Sequence, residues 1–424
     1  MRFYTFLGIA IGLVVLLNLY VLAHARRALG QHARRGSIVL LVFLVLGAIA
    51  SVTSRLAARS MWTGWTTWAV FGLAVELAVF ITTVLLFVVD GGRAVNRIGH
   101  WVARKIAKSE DAKGNATPFA AVNESALSET PPLPVADAVS PSRRDFIENA
   151  ASLSALAIGA SSSAYGVFFG RHDYAIETVP VRIPGLPATL DGYTIVQLSD
   201  IHFGPFVGEP ELRAAVDRVR RARPDLVVLT GDLIDHDLDY VSFLGRLIEQ
   251  LKPLARDGVA VIPGNHDYYT GVSEVLRTAT RAGGHVLVNH GRVIGAGRDA
   301  FALLGVDDLW ARRNGTGRGP NLDHAISTVP RDLPRILLSH NPAFFPEAAG
   351  RVALQLSGHT HGGQLNVGLA LTSHLMPFGY IAGMYQRDGS QLYVNRGFGT
   401  AGPPARIGSS PEISRFILTS DARV

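Results

Sequence analysis

From Phe3 to Ala23 the chain carries no charged residue, a run long enough to span a bilayer, which takes about 20 residues. Arg26, Arg27, Arg34 and Arg35 follow, then a second apolar run from Ile38 to Ser54, closed by Arg55 and Arg59. Trp62, Trp65 and Trp68 mark an interfacial belt before a third run, Thr66 to Val89. The connection beyond it is basic again, with Arg93, Arg97, Arg104, Lys105 and Lys108. Residues 1–100 therefore read as a membrane region with three transmembrane helices. The Lys/Arg excess in the first and third loops predicts an outside N-terminus, then loops in, out and in. Glu76 lies inside the third run and reads as a helix–helix contact or a residue near the interface.

Residues 101–142 read as a flexible linker, rich in Ala, Pro, Ser and small acids from 109 onward. Ser142-Arg-Arg-Asp-Phe-Ile147 and the Ala/Ser/Gly-rich run to Phe169 then resemble a twin-arginine export signal, which would make the twin-arginine machinery a partner. The segment departs from that pattern in being internal and in placing Glu148 where a basic residue is usual. Its other reading is a basic flank before an ordinary span. On either reading, 143–171 is a fourth transmembrane helix, with Arg143 and Arg144 inside and everything past residue 172 outside. The formal charge of +6 comes largely from arginines flanking apolar runs, so it carries no nucleic-acid signal. There are no cysteines, which excludes disulfides and thiolate ligands and leaves His, Asp, Glu or Asn to hold any metal.

Past Thr178 the texture is α/β. Short apolar runs predict strands at Thr194–Leu198, Leu226–Leu229, Val259–Ile262, Ile336–Leu338, Val352–Leu356, Leu392–Asn395 and Ile413–Thr419. Helical spacing covers Glu209–Arg223, Tyr240–Leu251 and Ser273–Ala282. Arg312–Pro334 is irregular and reads as an insertion or a lid. Strands alternating with helices imply a sheet covered on both faces.

Five strand ends carry polar residues: Asp200-Ile-His202, Gly231-Asp232, Gly264-Asn265-His266-Asp267, Ser339-His340 and Gly358-His359-Thr-His361-Gly-Gly-Gln364. In extended chain, residues i and i+2 point the same way, so Asp200 and His202 can grip one cation. Two imidazoles on a glycine-bracketed turn can reach one metal or two adjacent ones. Singly, each fragment is a common turn or cap. In open α/β sheets ligands collect beyond the carboxyl ends of the strands, and here all five fragments lie there.

In this order the fragments resemble the calcineurin-like metallophosphoesterase family over about residues 190–400, and the Gly-His-Thr-His-Gly-Gly-Gln form with an upstream twin-arginine-like segment is similar to its membrane-associated bacterial branch. The resemblance implies that 172–424 is a four-layer αββα sandwich holding two divalent cations (Mn, Fe, Zn or Mg), about 3.5 Å apart in such sites. Carried over motif by motif, the first metal takes Asp200, His202, Asp232 and His361. The second takes Asp232, Asn265, His340 and His359, with Asp232 bridging. A hydroxide between the metals would attack phosphorus, His266 would protonate the leaving oxygen, and Asp267 would orient His266. Arg396, after a late strand, is a candidate phosphate ligand. The remaining histidines, His236 and His374 among them, read as surface or packing residues.

The implied activity is metal-dependent hydrolysis of a phosphomonoester, phosphodiester or pyrophosphate. The membrane tether, with the aromatic residues Phe203, Phe206, Tyr268, Tyr269, Phe344, Phe345 and the run Leu375–Phe378 near the motifs, directs it to a lipid or envelope precursor. The expected location is a bacterial inner membrane, with the catalytic domain outside. Some relatives of this branch cleave the pyrophosphate of nucleotide-linked lipid sugars, which are cytoplasmic and so disfavoured by that topology. The competing readings are a non-catalytic membrane scaffold binding metal or a phosphoryl ligand, and a transporter built from residues 1–100.

Overall fold

The computed structural model describes residues 2–29, 33–56, 64–114, 143–313, 317–366 and 379–420; His374 and Leu375–Phe378 lie outside them. Compactness divides the chain into two units, 1–56 with 75–161, and 57–74 with 162–424.

The first unit is helical: α1 (Arg2–Leu29), α2 (Ala33–Leu56), α3 (Trp65–Gly114) and α4 (Arg143–Phe168), the last two continuing into the second unit. Each contains a stretch long and apolar enough to cross a membrane. Small residues let the helices approach closely: a Cβ on Gly47 would lie 2.3 Å from Val75, and one on Gly159 2.1 Å from the Thr82 hydroxyl. Asn18 Nδ2 lies 3.4 Å from both Glu76 oxygens, so Glu76 sits at an α1–α3 contact. Midway along α3, Asp90 accepts from Tyr20 at 2.7 Å and from Arg93 at 2.8 Å. Residues 101–114, read above as the start of a linker, belong to α3, which continues to Gly114; the rest of that segment lies outside the described residues. The Ala, Arg and Lys of 101–114 are strong helix formers, and no proline occurs before Pro118.

The second unit is built on two six-stranded sheets. The first has the order β1 (Ala175–Arg182), β12 (Glu412–Thr419), β2 (Thr194–Leu198), β3 (Leu226–Thr230), β4 (Val259–Ile262), β5 (His285–Val286). The second runs β10 (Gly383–Arg387), β11 (Ser390–Val394), β9 (Leu354–Ser357), β8 (Arg335–Leu338), β7 (Asp299–Gly305), β6 (His290–Ala296). Strands β2 to β5 are mutually parallel, as are β7, β8, β9 and β11.

Alternation along β3 shows why four layers result. Leu226 and Val228 join Phe301, Leu303, Ile336 and Leu354 in a core between the sheets. Val227 and Leu229 face the other way, onto α5 (Glu209–Ala222), α6 (Val241–Leu251) and α8 (Val272–Arg281). On the far side, Ala302, Leu304 and Leu337 pack with α10 (Leu322–Ser327) and α11 (Phe345–Ala348). Within α5, Leu212, Ala215, Val216 and Val219 are buried while Arg213 and Arg220 are exposed. Each fully buried Leu or Val contributes about 1.5–3 kcal/mol before entropy is charged against it. The helix opens with Gly208 N–H donating to Glu211 at 2.8 Å and ends where Arg223 turns left-handed at φ 51°. Under the site, Gln197 of β2 donates to Thr230 of β3 at 2.8 Å and to the Ser357 carbonyl of β9 at 3.0 Å, joining the two sheets at their carboxyl ends.

Strands β1, β5, β6, β7 and β10 were not expected from local pattern. The region read as an irregular insertion or lid contains α9 (Leu309–Arg313), which begins just before it, and α10.

Candidate metal centre

Each apolar strand ends in a turn that throws one or two polar side chains into a common space. Asp200, His202, Asp232, His359 and His361 all take left-handed φ values between 52° and 74°. Such conformations are costly for non-glycine residues and persist where surroundings over-determine them. The turns also require close approach. A Cβ on Gly358 would lie 2.0 Å from Ser199 Oγ and 2.2 Å from Asp200 Oδ2, and one on Gly264 2.3 Å from Asp232 Oδ1.

The seven expected ligands come together as two adjoining groups. Asp200, His202 and His361 offer ligand atoms within 4.8 Å of one another, and so do Asp232, His340 and His359. Asn265 joins the second, its Oδ1 3.1 Å from His340 Nε2. Asp232 stands between the groups: Oδ2 lies 3.6 Å from His202 Nε2 and 3.3 Å from His340 Nε2, while Oδ1 accepts the His266 backbone N–H at 2.8 Å.

The donor set fits a pair of divalent cations. His202 Nε2 and His361 Nε2 lie 3.1 Å apart, and His340 Nε2 and His359 Nδ1 3.2 Å apart. His340 Nδ1 donates to the Thr230 carbonyl at 2.8 Å, so in the neutral ring Nε2 presents a lone pair inward. Burial against His340 depresses His359 to about 4, and burial, with His202 and Arg406 nearby, depresses His361 well below the usual histidine range. Both rings are thus in the neutral, metal-binding form. Asp232 is held well below the usual carboxylate range: burial opposes its charge, but His340 and His202 stabilise it. It in turn draws His340 upward despite burial. A cation entering here would displace a proton from that pair.

Around His266 the structure differs from the expected assignment. Asp267 is wholly buried, and its carboxylate accepts from the Gly264, Leu233 and Ile234 backbone N–H groups at 2.8, 2.9 and 3.1 Å. Burial and the charge of Asp232 push it up to about 7. It ties the β3 and β4 loops together and has no hydrogen bond to the His266 ring. The carboxylate beside that ring belongs to Asp235, 3.2 Å from His266 Nδ1, 3.8 Å from His202 Nδ1 and in contact with His236. These histidines hold Asp235 far below the usual range against the opposing effect of burial. Although burial opposes protonation of His266, Asp235 and Asp232 raise its pKa.

Arg396 is turned to carboxylates: Nε is 2.9 Å from Glu412 and Nη2 2.5 Å from Glu177. The arginine beside a ligand is instead Arg406, with Nη2 3.2 Å from His361 Nδ1. It is fully buried and donates to the carbonyls of Arg396, Gly397 and Gly399 at 2.6 to 3.0 Å. Asp235 was legible in principle, as the acid three residues past Asp232. Nothing local marks Arg406, whose partners lie in three separate turns.

Of the neighbouring aromatics, Phe203, Phe344 and Phe345 are core residues, and Tyr268 bonds Asp307. Tyr269 is 46 % exposed and edges both the His266 ring at 5.4 Å and Trp310 at 5.7 Å. Phe206 stacks on Trp65, at the start of α3, with centroids 6.3 Å apart and planes at 13°. At the end of α4, Gly166 accepts the Arg406 backbone N–H at 3.1 Å.

Comparison with known proteins bears on the same residues. A family model for calcineurin-like phosphoesterases matches residues 193–363. A metallophosphoesterase of Bacillus subtilis, YkuE, itself uncharacterized, is 33 % identical over 66 % of this chain and 98 % of its own length. A zebrafish transmembrane protein with a metallophosphoesterase domain is 36 % identical over 62 % of each chain, so the alignment spans less than two thirds of that relative. Among solved structures, a dimetal phosphatase from zebrafish overlaps at a TM-score of 0.33 and 14 % identity, covering 54 % of this chain and 93 % of that one.

Proposed function

This chain belongs to the calcineurin-like phosphoesterase family, and we propose that it is a phosphoester hydrolase acting on a lipid or envelope precursor at the outer face of a bacterial inner membrane. The observation that carries this reading is the Trp65–Phe206 stack. It sets the first residue of an apolar helix against a side chain four residues past His202. Trp favours membrane–water interfaces, so this stack favours a substrate whose phosphate lies at headgroup level.

Asp200, His202, Asp232, Asn265, His340, His359 and His361 would hold two divalent metals, which when bound would supply Lewis acidity and an activated water. The residues of the chain divide the remaining work. Asp232, fixed by the His266 backbone N–H, places negative charge between the two ligand groups. Asp235 accepts from His266 Nδ1, so the protonated ring presents Nε2–H, the atom that would give its proton to the leaving oxygen. Tyr269 beside that ring, with Trp310 against Tyr269, offers an apolar wall to an alkyl or aromatic leaving group.

The test uses the full-length protein in lipid nanodiscs, supplied with Mn or Zn, against a soluble phosphomonoester, a soluble phosphodiester and a lipid-linked phosphoester. Turnover lost in Asp232→Asn, with kcat/KM highest for the lipid ester, is expected. Equal kcat/KM for soluble and lipid esters would remove the lipid assignment. Metal binding with no turnover on any ester would favour a binding role.

A further inference from the structure

Helix α3 is too long for the task of crossing a bilayer. Its 50 residues extend about 75 Å at 1.5 Å per residue, against about 30 Å of hydrocarbon. The uncharged part ends at Asp90, and the chemistry then changes. No acidic residue occurs from Gly91 to Lys108, while Arg93, Arg97, Arg104, Lys105 and Lys108 do. At 3.6 residues per turn, Val95, Ile98, Val102 and Ile106 fall on one face, with Arg97 and Arg104 on the opposite one, next to Arg93, which is paired with Asp90. The apolar side chains are not packed on protein: Val95 is 71 % exposed, Ile98 61 %, Val102 41 % and Ile106 55 %. Beside the stripe, Lys105 Nζ lies 4.3 Å over the Trp101 ring.

From this arrangement we infer that residues 93–106 form an interfacial helix that lies on the anionic lipid surface where α3 leaves the membrane. The inference rests on the membrane-anchored reading above. Charge complementarity and covalent continuity with a membrane-spanning stretch select the occupant. A basic amphipathic helix gains both from burying its apolar face at the acyl boundary and from each cation near anionic headgroups. The bend this requires has a place. Gly91 and Gly92 follow Asp90 directly, and a Cβ on either would meet nothing within 4 Å, so packing does not call for glycine there. Paired glycines are weak points at which helices kink.

The absence of cysteine allows single-cysteine labelling of the full chain. Environment-sensitive labels at Phe80→Cys, Arg97→Cys, Ile98→Cys and Val102→Cys would be read in vesicles of pure phosphatidylcholine and of phosphatidylcholine with phosphatidylglycerol. With phosphatidylglycerol, labels at 98 and 102 should enter the acyl boundary while the label at 97 stays in water. Adding Arg104→Glu and Lys105→Glu should lower the docked-to-free ratio at least tenfold without changing turnover of a soluble ester. Labels at 98 and 102 that remain aqueous, with the label at 80 inside the bilayer, overturn the surface helix and leave the anchor intact. A label at 80 in water removes the anchor itself. Shielding at 98 and 102 that grows only with protein density, equally in both lipids, overturns the proposal in favour of a second copy of the chain.

Discussion

Two carboxylates near His266 can be told apart by what their oxygens touch. Asp235 faces three imidazoles, whereas Asp267 faces three backbone N–H groups. Asp235→Asn should therefore reduce kcat by about 10²-fold, the low end for losing a positioned acid. It should also lower the unfolding temperature, because the histidines stabilise its charge in the fold, whereas Asp267→Asn should leave kcat within a few fold. Asp267→Asn turns an amide N–H toward a backbone donor and should cost about 1–3 kcal/mol of stability. Steady-state kinetics beside thermal unfolding decides this, and the opposite pattern would restore Asp267 as the partner of His266. Asp308 offers a pH test. Its Oδ1 accepts the Trp310 N–H at 2.8 Å, while Oδ2 is buried without a partner among the described residues. Burial pushes the carboxyl up from 3.8 to about 6, against the lowering influence of His340. A group raised on folding stabilises fully below its unfolded pKa and loses that contribution as pH rises through the folded one. In metal-stripped protein the contribution of Asp308 itself should thus fall between pH 4 and 6, which its substitution isolates. Asp308→Asn should be neutral near pH 4 and stabilising by up to about 3 kcal/mol at pH 7. No difference between the two pH values would mean that the second oxygen is satisfied in solution.

Elements position the site through turns too tight for any side chain. Gly358→Ala drives a methyl into Ser199 and Asp200, so it should empty the first ligand group and abolish activity, read as metal content per chain after gel filtration. Full metal loading in that variant would mean that the turn after β9 can yield. The same elements explain what could be read from sequence. Strands β2, β3, β4, β8 and β9 are buried on almost every residue, so each is a short apolar run with its polar terminus marked. Strand β1 alternates between half-buried and exposed residues, and the β6 strand carries Gly291 and Gly295. Their strand character comes from pairing with β12 and β7, a tertiary choice that overrides weak local preference. Arg406 was hidden for the same reason: its burial exists only once the turns at 361, 396–399 and 409 converge on it. Asp235 lay in view, but which of two nearby acids faces an imidazole depends on the path of the loop after β3.

At the scale of the whole molecule, arginine placement and the catalytic chemistry make one joint prediction. Arg26, Arg27, Arg34 and Arg35 after the first apolar run, and Arg93, Arg97, Arg104 and Lys105 after the third, predict that these loops lie inside. On that prediction an odd number of crossings would leave residues 115–142 inside, and the fourth helix would carry the domain beyond residue 172 outside. Protease added to spheroplasts should digest the domain beyond residue 172, while an epitope tag placed within 115–142 survives until the membrane is opened. The reverse pattern would overturn the topology. It would also change the chemistry to be sought, because a cytoplasmic site meets nucleotide-linked lipid precursors whereas an external one does not. Protease access therefore settles which face of the bilayer supplies the phosphoester, and it does so before any substrate is known.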